Sequence, residues 1–298
     1  MKIIFTIIFV FASLLAQLKV VSSRVIETNI EAYYPIFGNN DDEIYFTTSQ
    51  CIGIYKFNLS NNKFETITED SGAGYEFRIS GDKIVYRKDN YSEGKKYSSI
   101  IFIDLTTREQ KILSENKRNM STPEIINKDY VIFNEDSNNK IMKVSQNRNL
   151  KSIASTYVLN EDLKIALYMN GKKRILKPVG DDNYIWISLS PDKTKILFTA
   201  SSKGTFICDL NGNILYELGK AQSPKWSPDG KKVLYMIQQD DGHQYTASEL
   251  YYYDLKEKKH YQLTKTDNVI ELYPSWSKNG DKIVCNTAEG KIILYELQ

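Results

Sequence analysis

The segment that decides the fold is a tight turn followed by an apolar run, WSPDGKKVLY at residues 226–235. Proline presets the φ angle at the first corner of such a turn, and an aspartate side chain bonds back to the nearby backbone. Glycine then accepts the left-handed conformation that follows them. The chain therefore reverses direction here, and the apolar run after the turn is predicted to be a β-strand of a hairpin.

The same unit recurs along the chain. Clear copies are LSPDKTKILF at residues 189–198 and WSKNGDKIVC at residues 276–285, and weaker copies begin near residues 34, 75 and 123. Repetition at intervals of about 40 to 50 residues is typical of β-propellers, in which each repeat forms one blade.

A second unit follows the first in most repeats. It is an apolar strand that ends in Asp-Leu, then a polar turn and another strand, as in FICDL at residues 206–210 before ILYEL at residues 214–218. This unit is predicted to be an outer hairpin. An inner and an outer hairpin together make a four-stranded meander, which is one blade.

The number of blades follows from the spacing of the first units, which begin near residues 34, 75, 123, 186, 224 and 274. The interval from residue 123 to residue 186 is the longest, and it holds an additional hairpin-like pair at residues 164–168 and 174–176. This interval is long for one four-stranded blade and short for two. We predict an all-β, six-bladed propeller of four-stranded antiparallel blades with an enlarged third blade, and keep seven blades as the alternative.

The last repeat contains only three strands, the hairpin at residues 276–285 and the run KIILY at residues 291–295. Residues 24–30 alternate between apolar and polar side chains and have no partner of their own. We predict that this N-terminal strand completes the last blade and closes the ring. Closure leaves few exposed sheet edges.

These repeats resemble the Pro-Asp repeats, which are similar to WD repeats, of TolB-like β-propellers. Residues 226–233 match best, and residues 190–192 and 276–280 are degenerate copies. The resemblance covers essentially the whole chain after its N-terminal segment and implies an exported bacterial propeller. TolB itself is a periplasmic scaffold that binds protein partners, so the resemblance implies a binding role. TolB also has an additional N-terminal domain, which the short segment before residue 34 does not match, and its particular role is not carried over.

The N-terminus is predicted to be a signal peptide. Lys2 precedes an apolar run from Ile3 to Ala16, and small residues follow before Arg24, the expected first mature residue. We therefore predict a signal peptide at residues 1–23, a single propeller domain at residues 24–298, and a periplasmic or secreted location. The alternative is a retained membrane anchor, but the run is shorter than the roughly 20 residues that span a bilayer. No cysteine follows the run, so a lipoprotein acylation site is not expected.

Charge and cysteine content limit the classes of partner. The formal net charge is +2, and Lys2 and Lys19 both lie in the segment expected to be removed. The remaining chain is balanced, so we expect no binding to nucleic acid and no stable membrane insertion after cleavage. The three cysteines, Cys51, Cys208 and Cys285, lie in strand-like sequence. We interpret the three cysteines as small buried hydrophobic residues. We also expect the protein to be a monomer.

The sequence contains little that points to catalysis. Its only histidines are His243 and His260, and motifs for a nucleophile elbow, a zinc helix or a phosphate loop are absent. We predict no catalytic residues, no metal and no cofactor. A metal-dependent lyase of pectin fragments is the enzyme alternative, because some such lyases are secreted propellers with a histidine-rich metal centre.

A ligand is expected on the face where loops from all blades converge, since binding residues concentrate on loops that a rigid scaffold positions. Exposed aromatic rings suit protein interfaces or stacking on sugars. We predict a protein partner in the cell envelope, with a carbohydrate as the alternative ligand. The candidate ligand-binding residues are Tyr75, Arg87, Tyr184, Trp186, Asp240, Asp241, His243 and Tyr273.

Overall fold

The computed structural model describes residues 17–126, 129–136, 138–144 and 156–298. These residues form antiparallel β-strands and no helix. In chain order the strands are β1 (Val20–Ile26), β2 (Tyr33–Phe37), β3 (Glu43–Thr47), β4 (Ile54–Asn58), β5 (Lys63–Thr68), β6 (Arg78–Ser80), β7 (Lys83–Ser92), β8 (Lys95–Asp104), β9 (Glu109–Lys117), β10 (Glu124–Ile126), β11 (Tyr130–Glu135), β12 (Asn138–Lys143), β13 (Tyr157–Glu161), β14 (Lys164–Met169), β15 (Lys172–Leu176), β16 (Tyr184–Leu189), β17 (Lys195–Ala200), β18 (Gly204–Asp209), β19 (Ile214–Gly219), β20 (Gln222–Trp226), β21 (Lys232–Asp240), β22 (Tyr245–Asp254), β23 (Lys259–Gln262), β24 (Glu271–Trp276), β25 (Lys282–Thr287) and β26 (Ile292–Leu297).

The described strands are grouped in seven sheets. Six are meanders of consecutive strands, and the seventh adds β1 to the meander β24–β26. We number these sheets as blades 1 to 7. Blade 1 is β2–β5, blade 2 is β6–β9, blade 3 is β10–β12, blade 4 is β13–β15, blade 5 is β16–β19, blade 6 is β20–β23, and blade 7 is β24–β26 with β1. The structure is therefore a seven-bladed β-propeller with mostly four-stranded blades.

The turn between the first two strands forms in blades 5 and 6 as the sequence predicts. In blade 6 the Ser227 hydroxyl donates to Asp229 at 2.7 Å and accepts from the Lys232 N–H at 2.9 Å. Gly230 has a φ angle of +69°. At the degenerate turn of blade 5 the left-handed position is taken by Lys193. The serine and aspartate bonds therefore hold the turn even where glycine is missing.

The core lies between blades. Seven clusters of buried apolar side chains each join neighbouring blades, and one of them unites Ile44 and Phe46 of blade 1 with Val284 and Leu294 of blade 7. The second strand of a blade is buried on both faces, whereas the outermost strand is largely exposed. Because first and last blades share a cluster, the ring is closed.

The N-terminal strand closes the ring as predicted, with different bounds. β1 pairs antiparallel with β26, and Arg24 lies opposite Leu294. The strand begins at Val20 and ends at Ile26, because the Thr28 hydroxyl donates to the Ile30 carbonyl at 2.7 Å and turns the chain away. Residues 1–16 lie outside the described residues, so the signal peptide stays a prediction. Within the described part of the chain, no helix is long and apolar enough to cross a membrane.

The prediction of six blades is wrong, and its alternative of seven is right. The interval treated as one enlarged blade contains two blades of three described strands, β10–β12 and β13–β15. The interval from residue 123 to residue 186 is too short for two four-stranded blades, but it accommodates these two blades. The outermost strand of blade 4 carries Lys172, Lys173 and Arg174, and charged side chains of this kind protect an open strand edge.

Candidate functional site

The meander topology brings two sets of loops to one face of the ring. Because strands alternate in direction, the segments that lead into the innermost strands share a face with the turns between second and third strands. We call this the mouth face. Two hairpins project from it, β7–β8 in blade 2 and β21–β22 in blade 6, with strands of nine or ten residues. The corresponding described strands elsewhere have five or six residues.

About four additional residues extend each of these strands by roughly 13 Å. On one side of the ring, blades 7 and 1 lie between blade 6 and blade 2. The two hairpins therefore stand on either side of the mouth above blades 7 and 1.

The innermost strands carry a repeated irregularity near the mouth. Tyr34, Trp186, Ser223 and Tyr273 all have φ angles between 48° and 55°, and each lies where the pairing register of its strand shifts. A left-handed conformation is uncommon for residues other than glycine, and bulges of this kind redirect side chains. In blades 1 and 7 the bulge directs a tyrosine into a pocket on the mouth face.

This pocket has a volume of about 800 Å³ and is formed by blades 6, 7 and 1. We call it the mouth pocket. Its walls combine aromatic and polar side chains with a few apolar ones. The lining residues that bear on function are Tyr33, Tyr34, Asp240, His243, Tyr245, Tyr273 and Glu289.

Three tyrosines of the mouth pocket form a connected group. The ring centroids of Tyr34 and Tyr273 are 4.4 Å apart with an interplanar angle of 54°. Burial, together with hydrogen bonds to Tyr245 and Tyr34, holds the pKa of Tyr273 well above its usual range. Burial also raises the pKa of Tyr34. The phenols of Tyr34 and Tyr273 therefore stay neutral at physiological pH.

The charged groups of the mouth pocket are acidic. Asp240 and Glu289 line it, and neither is in an ion pair among the described residues. Beside it, the Tyr33 hydroxyl donates to Glu31 at 3.3 Å. No lysine or arginine is among the described residues that form the walls. The pocket is therefore electronegative.

The hairpin of blade 2 presents a different arrangement at the other side of the mouth. The guanidinium carbon of Arg87 lies 5.4 Å from the centre of the Tyr75 ring, and Arg87 Nε lies 3.2 Å from Asp89 Oδ1. Asp89 also pairs with Lys96 at 2.7 Å, and Lys88 pairs with Asp70 at 2.8 Å. Three basic side chains therefore contact two carboxylates here, and Arg87 and Lys96 share Asp89.

The structure brings together some of the sequence-predicted residues. Asp240, His243 and Tyr273 line the mouth pocket, and Tyr75 and Arg87 form a pair on blade 2 with the Tyr75 side chain 48% exposed. Their role in binding stays a prediction.

The other predicted residues lie elsewhere. Asp241 accepts the N–H groups of His243 and Gln244, each at 2.9 Å, so its carboxylate builds the hairpin turn. Those bonds lower its pKa. Trp186 is half-buried on blade 5. Tyr184 is fully buried, with its ring 5.4 Å from Phe198, so it packs the core of its blade and offers no surface to a ligand.

Sequence reasoning missed Tyr34, Tyr245 and Glu289. A signal for Tyr34 was present, because Tyr34 and Tyr273 both precede a proline at the same place in their repeats. Tyr245 and Glu289 had no comparable signal, since each enters the pocket only through the packing of blades 6, 7 and 1.

The two histidines cannot share a metal ion. His243 lies at the mouth end of β22 beside Tyr245, whereas His260 pairs with Tyr253 near the other end of that strand. Eight residues of extended strand separate these ends by about 27 Å. His260 Nδ1 instead lies 2.6 Å from the Tyr235 hydroxyl. Within the ranges that the structure describes, no group of three or more histidine, cysteine, aspartate or glutamate side chains could hold a metal.

The channel itself contains paired charges. Arg78 of blade 2 donates to both carboxylate oxygens of Glu124 in blade 3, at 2.8 and 2.6 Å. Burial and the nearby charge of Arg78 lower the pKa of Lys225 in blade 6. The Arg78–Glu124 pair joins the innermost strands of the neighbouring blades 2 and 3.

Fold and site together define a seven-bladed β-propeller with an aromatic, acidic pocket at one mouth of its channel. No protein-family model matches the chain, and no curated protein matches it. Solved structures similar to it include an oligogalacturonate lyase from Vibrio parahaemolyticus, 12% identical, with 91% of this chain and 79% of that chain covered and a TM-score of 0.49. Another is an oligogalacturonate lyase in complex with manganese, also 12% identical, with 92% and 79% covered and a TM-score of 0.50. At this identity the likeness shows the propeller fold alone.

Proposed function

We propose that this chain is an exported, non-catalytic binding module that holds a protein partner of the cell envelope on its mouth face. The observation that carries the proposal is the mouth pocket, where Tyr34, Tyr245 and Tyr273 converge from three blades beneath a projecting hairpin. Rigid strands position these rings, and loops frame them.

Tyrosine suits this role physically. Its ring offers a large apolar surface at low conformational cost, and its hydroxyl hydrogen-bonds at the rim. The half-exposed Tyr75 and the 71% exposed Tyr91 extend the aromatic surface along the hairpin of blade 2. A partner that spans the mouth can contact both projecting hairpins and the pocket between them.

Export is part of the proposal. The apolar run at residues 3–16 and the small residues before Arg24 support cleavage after residue 23. Mass spectrometry of the protein purified from its native host tests this directly. An intact N-terminus, or a mature protein that begins after Ile26 and so lacks β1, would contradict the assignment.

Partner binding is tested by affinity capture from envelope extracts with the mature protein as bait. Wild type should enrich a defined protein, and the double variant Tyr34→Ser, Tyr273→Ser should lose most of that enrichment. Tyr261→Ser is a matched control, because Tyr261 lies on the outermost strand of blade 6, stacked on Tyr252. Thermal melts verify that each variant is folded.

Equal capture by wild type and the double variant would refute a role for the mouth. A glycan array with the same proteins separates the carbohydrate alternative. Glycan binding that depends on Tyr34 and Tyr273, without capture of any protein, would replace the protein partner by a sugar ligand.

A further inference from the structure

We propose that the mouth pocket binds an alkylammonium group, presented as a lysine side chain of the protein partner. This inference rests on the proposed function and names the chemistry that the pocket recognises. Three features carry it: the grouped tyrosine rings, the unpaired carboxylates, and walls whose described residues include no lysine or arginine.

The rings supply the first attraction. An aromatic face carries partial negative charge, so a cation placed over several rings is attracted to each of them. The ring centroids of Tyr34 and Tyr273 lie 4.4 Å apart, and the ring planes form an angle of 54°, so the two rings are not stacked face to face. Tyr245 completes the group from the hairpin of blade 6. Tilted rings around a cavity are the arrangement that holds an ammonium group.

The carboxylates supply the second attraction. Asp240 comes from blade 6 and Glu289 from blade 7, so the mouth pocket has a negative charge on two of its walls. Asp240 accepts one hydrogen bond, from the Gly242 N–H at 3.1 Å, and has no cationic partner among the described residues. Asp241 next to it accepts two backbone N–H groups of its own turn at Oδ1 and is not among the residues that line the pocket.

The charge pattern of the mouth face points the same way. On blade 2 the cations Lys88 and Lys96 are paired with Asp70 and Asp89, whereas the pocket acids are unpaired. The electrostatic potential at the pocket is therefore negative. A long, flexible side chain with a terminal cation also suits an open cavity of about 800 Å³.

A metal ion fits this pocket less well than an organic cation. Neutral phenols are poor metal ligands, and two carboxylates from separate blades fall short of the six to eight oxygens that calcium takes. An alkylammonium group needs only aromatic faces and nearby negative charge.

The test measures binding of an end-blocked Gly-Gly-Lys-Gly-Gly peptide to the mature protein by NMR at low ionic strength. The matched ligand has norleucine in place of lysine, which keeps the chain length and removes the charge. The lysine peptide should bind about tenfold more tightly, and the preference should shrink in high salt. Free butylammonium as a third ligand distinguishes recognition of a peptide from recognition of the cation alone.

Protein variants locate the interaction. Asp240→Asn with Glu289→Gln should weaken lysine-peptide binding about tenfold and leave norleucine-peptide binding unchanged, since asparagine can still accept the Gly242 bond. Tyr273→Leu should weaken it about fivefold, whereas Tyr273→Phe retains the ring and most of the affinity. Glu115→Gln, an exposed carboxylate on the outermost strand of blade 2, is the neutral control.

Equal binding of the lysine and norleucine peptides, binding of neither, or insensitivity to the two neutralised acids would overturn the inference. Partner capture separates this failure from that of the proposed function. If capture is lost in the Tyr34 and Tyr273 variants but kept in the variant Asp240→Asn with Glu289→Gln, the binding module is supported and recognition of a lysine is refuted. If the pocket prefers the lysine peptide but no protein is captured through the mouth, the alkylammonium site is supported and the proposed protein partner is refuted.

Discussion

Replacing Glu271 by glutamine should stabilise the folded protein at pH 8 and leave its stability near pH 4.5 almost unchanged. Glu271 begins the innermost strand of blade 7 and is fully buried. Burial is the main cause that raises the pKa of its carboxyl from 4.5 to about 7, and the charge of Glu249 adds to it. At about 1.4 kcal/mol per pKa unit, ionising this group inside the fold costs about 3 kcal/mol.

The hydrogen bonds around Glu271 explain why glutamine fits. The Tyr295 hydroxyl donates to one carboxyl oxygen, and Thr264 Oγ1 contacts the other. Thr264 also accepts the Leu250 N–H and reaches Glu249 at 2.9 Å. The single hydroxyl proton of Thr264 can therefore go to Glu249 when a protonated Glu271 donates to Thr264. A glutamine amide donates and accepts in the same places without titrating.

The sign of the pH dependence follows from linkage. A carboxyl whose pKa is raised on folding binds its proton more tightly in the folded state, so its contribution is full below about pH 4.5 and is lost as the pH rises through about 7. Wild type should lose about 3 kcal/mol across this window from Glu271, and the Glu271→Gln variant should not.

Urea unfolding of both proteins at several pH values between 4.5 and 8 measures the difference. Glu115→Gln serves as the control, because it makes the same substitution at an exposed side chain on the outermost strand of blade 2. A Glu271→Gln protein that is no more stable than wild type at pH 8, or that gains the same stability at every pH, would refute a buried neutral acid at this position.

Other predictions concern the turns, the packing and the closure of the ring. Ser227→Ala should lower the free energy of unfolding by about 1 kcal/mol, measured by urea titration, because the Lys232 N–H loses its acceptor. Gly74→Ala should lower it by about 1 to 3 kcal/mol, because the new Cβ would lie 1.8 Å from Thr47 Oγ1 in the core; an unchanged melting temperature would contradict this packing. A protein that begins at Arg24 should melt at a higher temperature than one that begins at residue 27, since only the former retains pairing with β26; equal melting temperatures would show that β1 does not stabilise the ring.

Much of the fold could be predicted because its signals are local. The Ser-Pro-Asp-Gly turn at residues 227–230 and its copies make their bonds within a few residues, so strand and turn positions follow from short stretches. Closure could be predicted from counting strands in the last repeat. The blade count could not, since the long interval contains two blades of three described strands each, and its length alone favoured one enlarged blade.

Part of the candidate site could also be predicted from local signals in the sequence. Asp240, His243 and Tyr273 stood out as polar or aromatic residues in loops, and they do line one pocket. Tyr184 looked equivalent in sequence but is fully buried, because the alternation of its strand turns the ring toward Phe198. Exposure of a ring depends on which neighbour covers it, and that neighbour is often distant in the chain.

By itself, the sequence determined that the chain forms repeated antiparallel hairpins and that an N-terminal strand completes the last one, because turn chemistry and alternation act over a few residues. The tertiary structure alone decided the number of blades, the meeting of Tyr34 with Tyr273, and the neutral state expected of Glu271. The two tyrosines meet because closure of the ring packs blade 7 against blade 1, and Glu271 loses water because blade 7 packs against Thr264 and Glu249 beside blade 6. These neighbours lie apart along the chain, so only the tertiary structure brings them together.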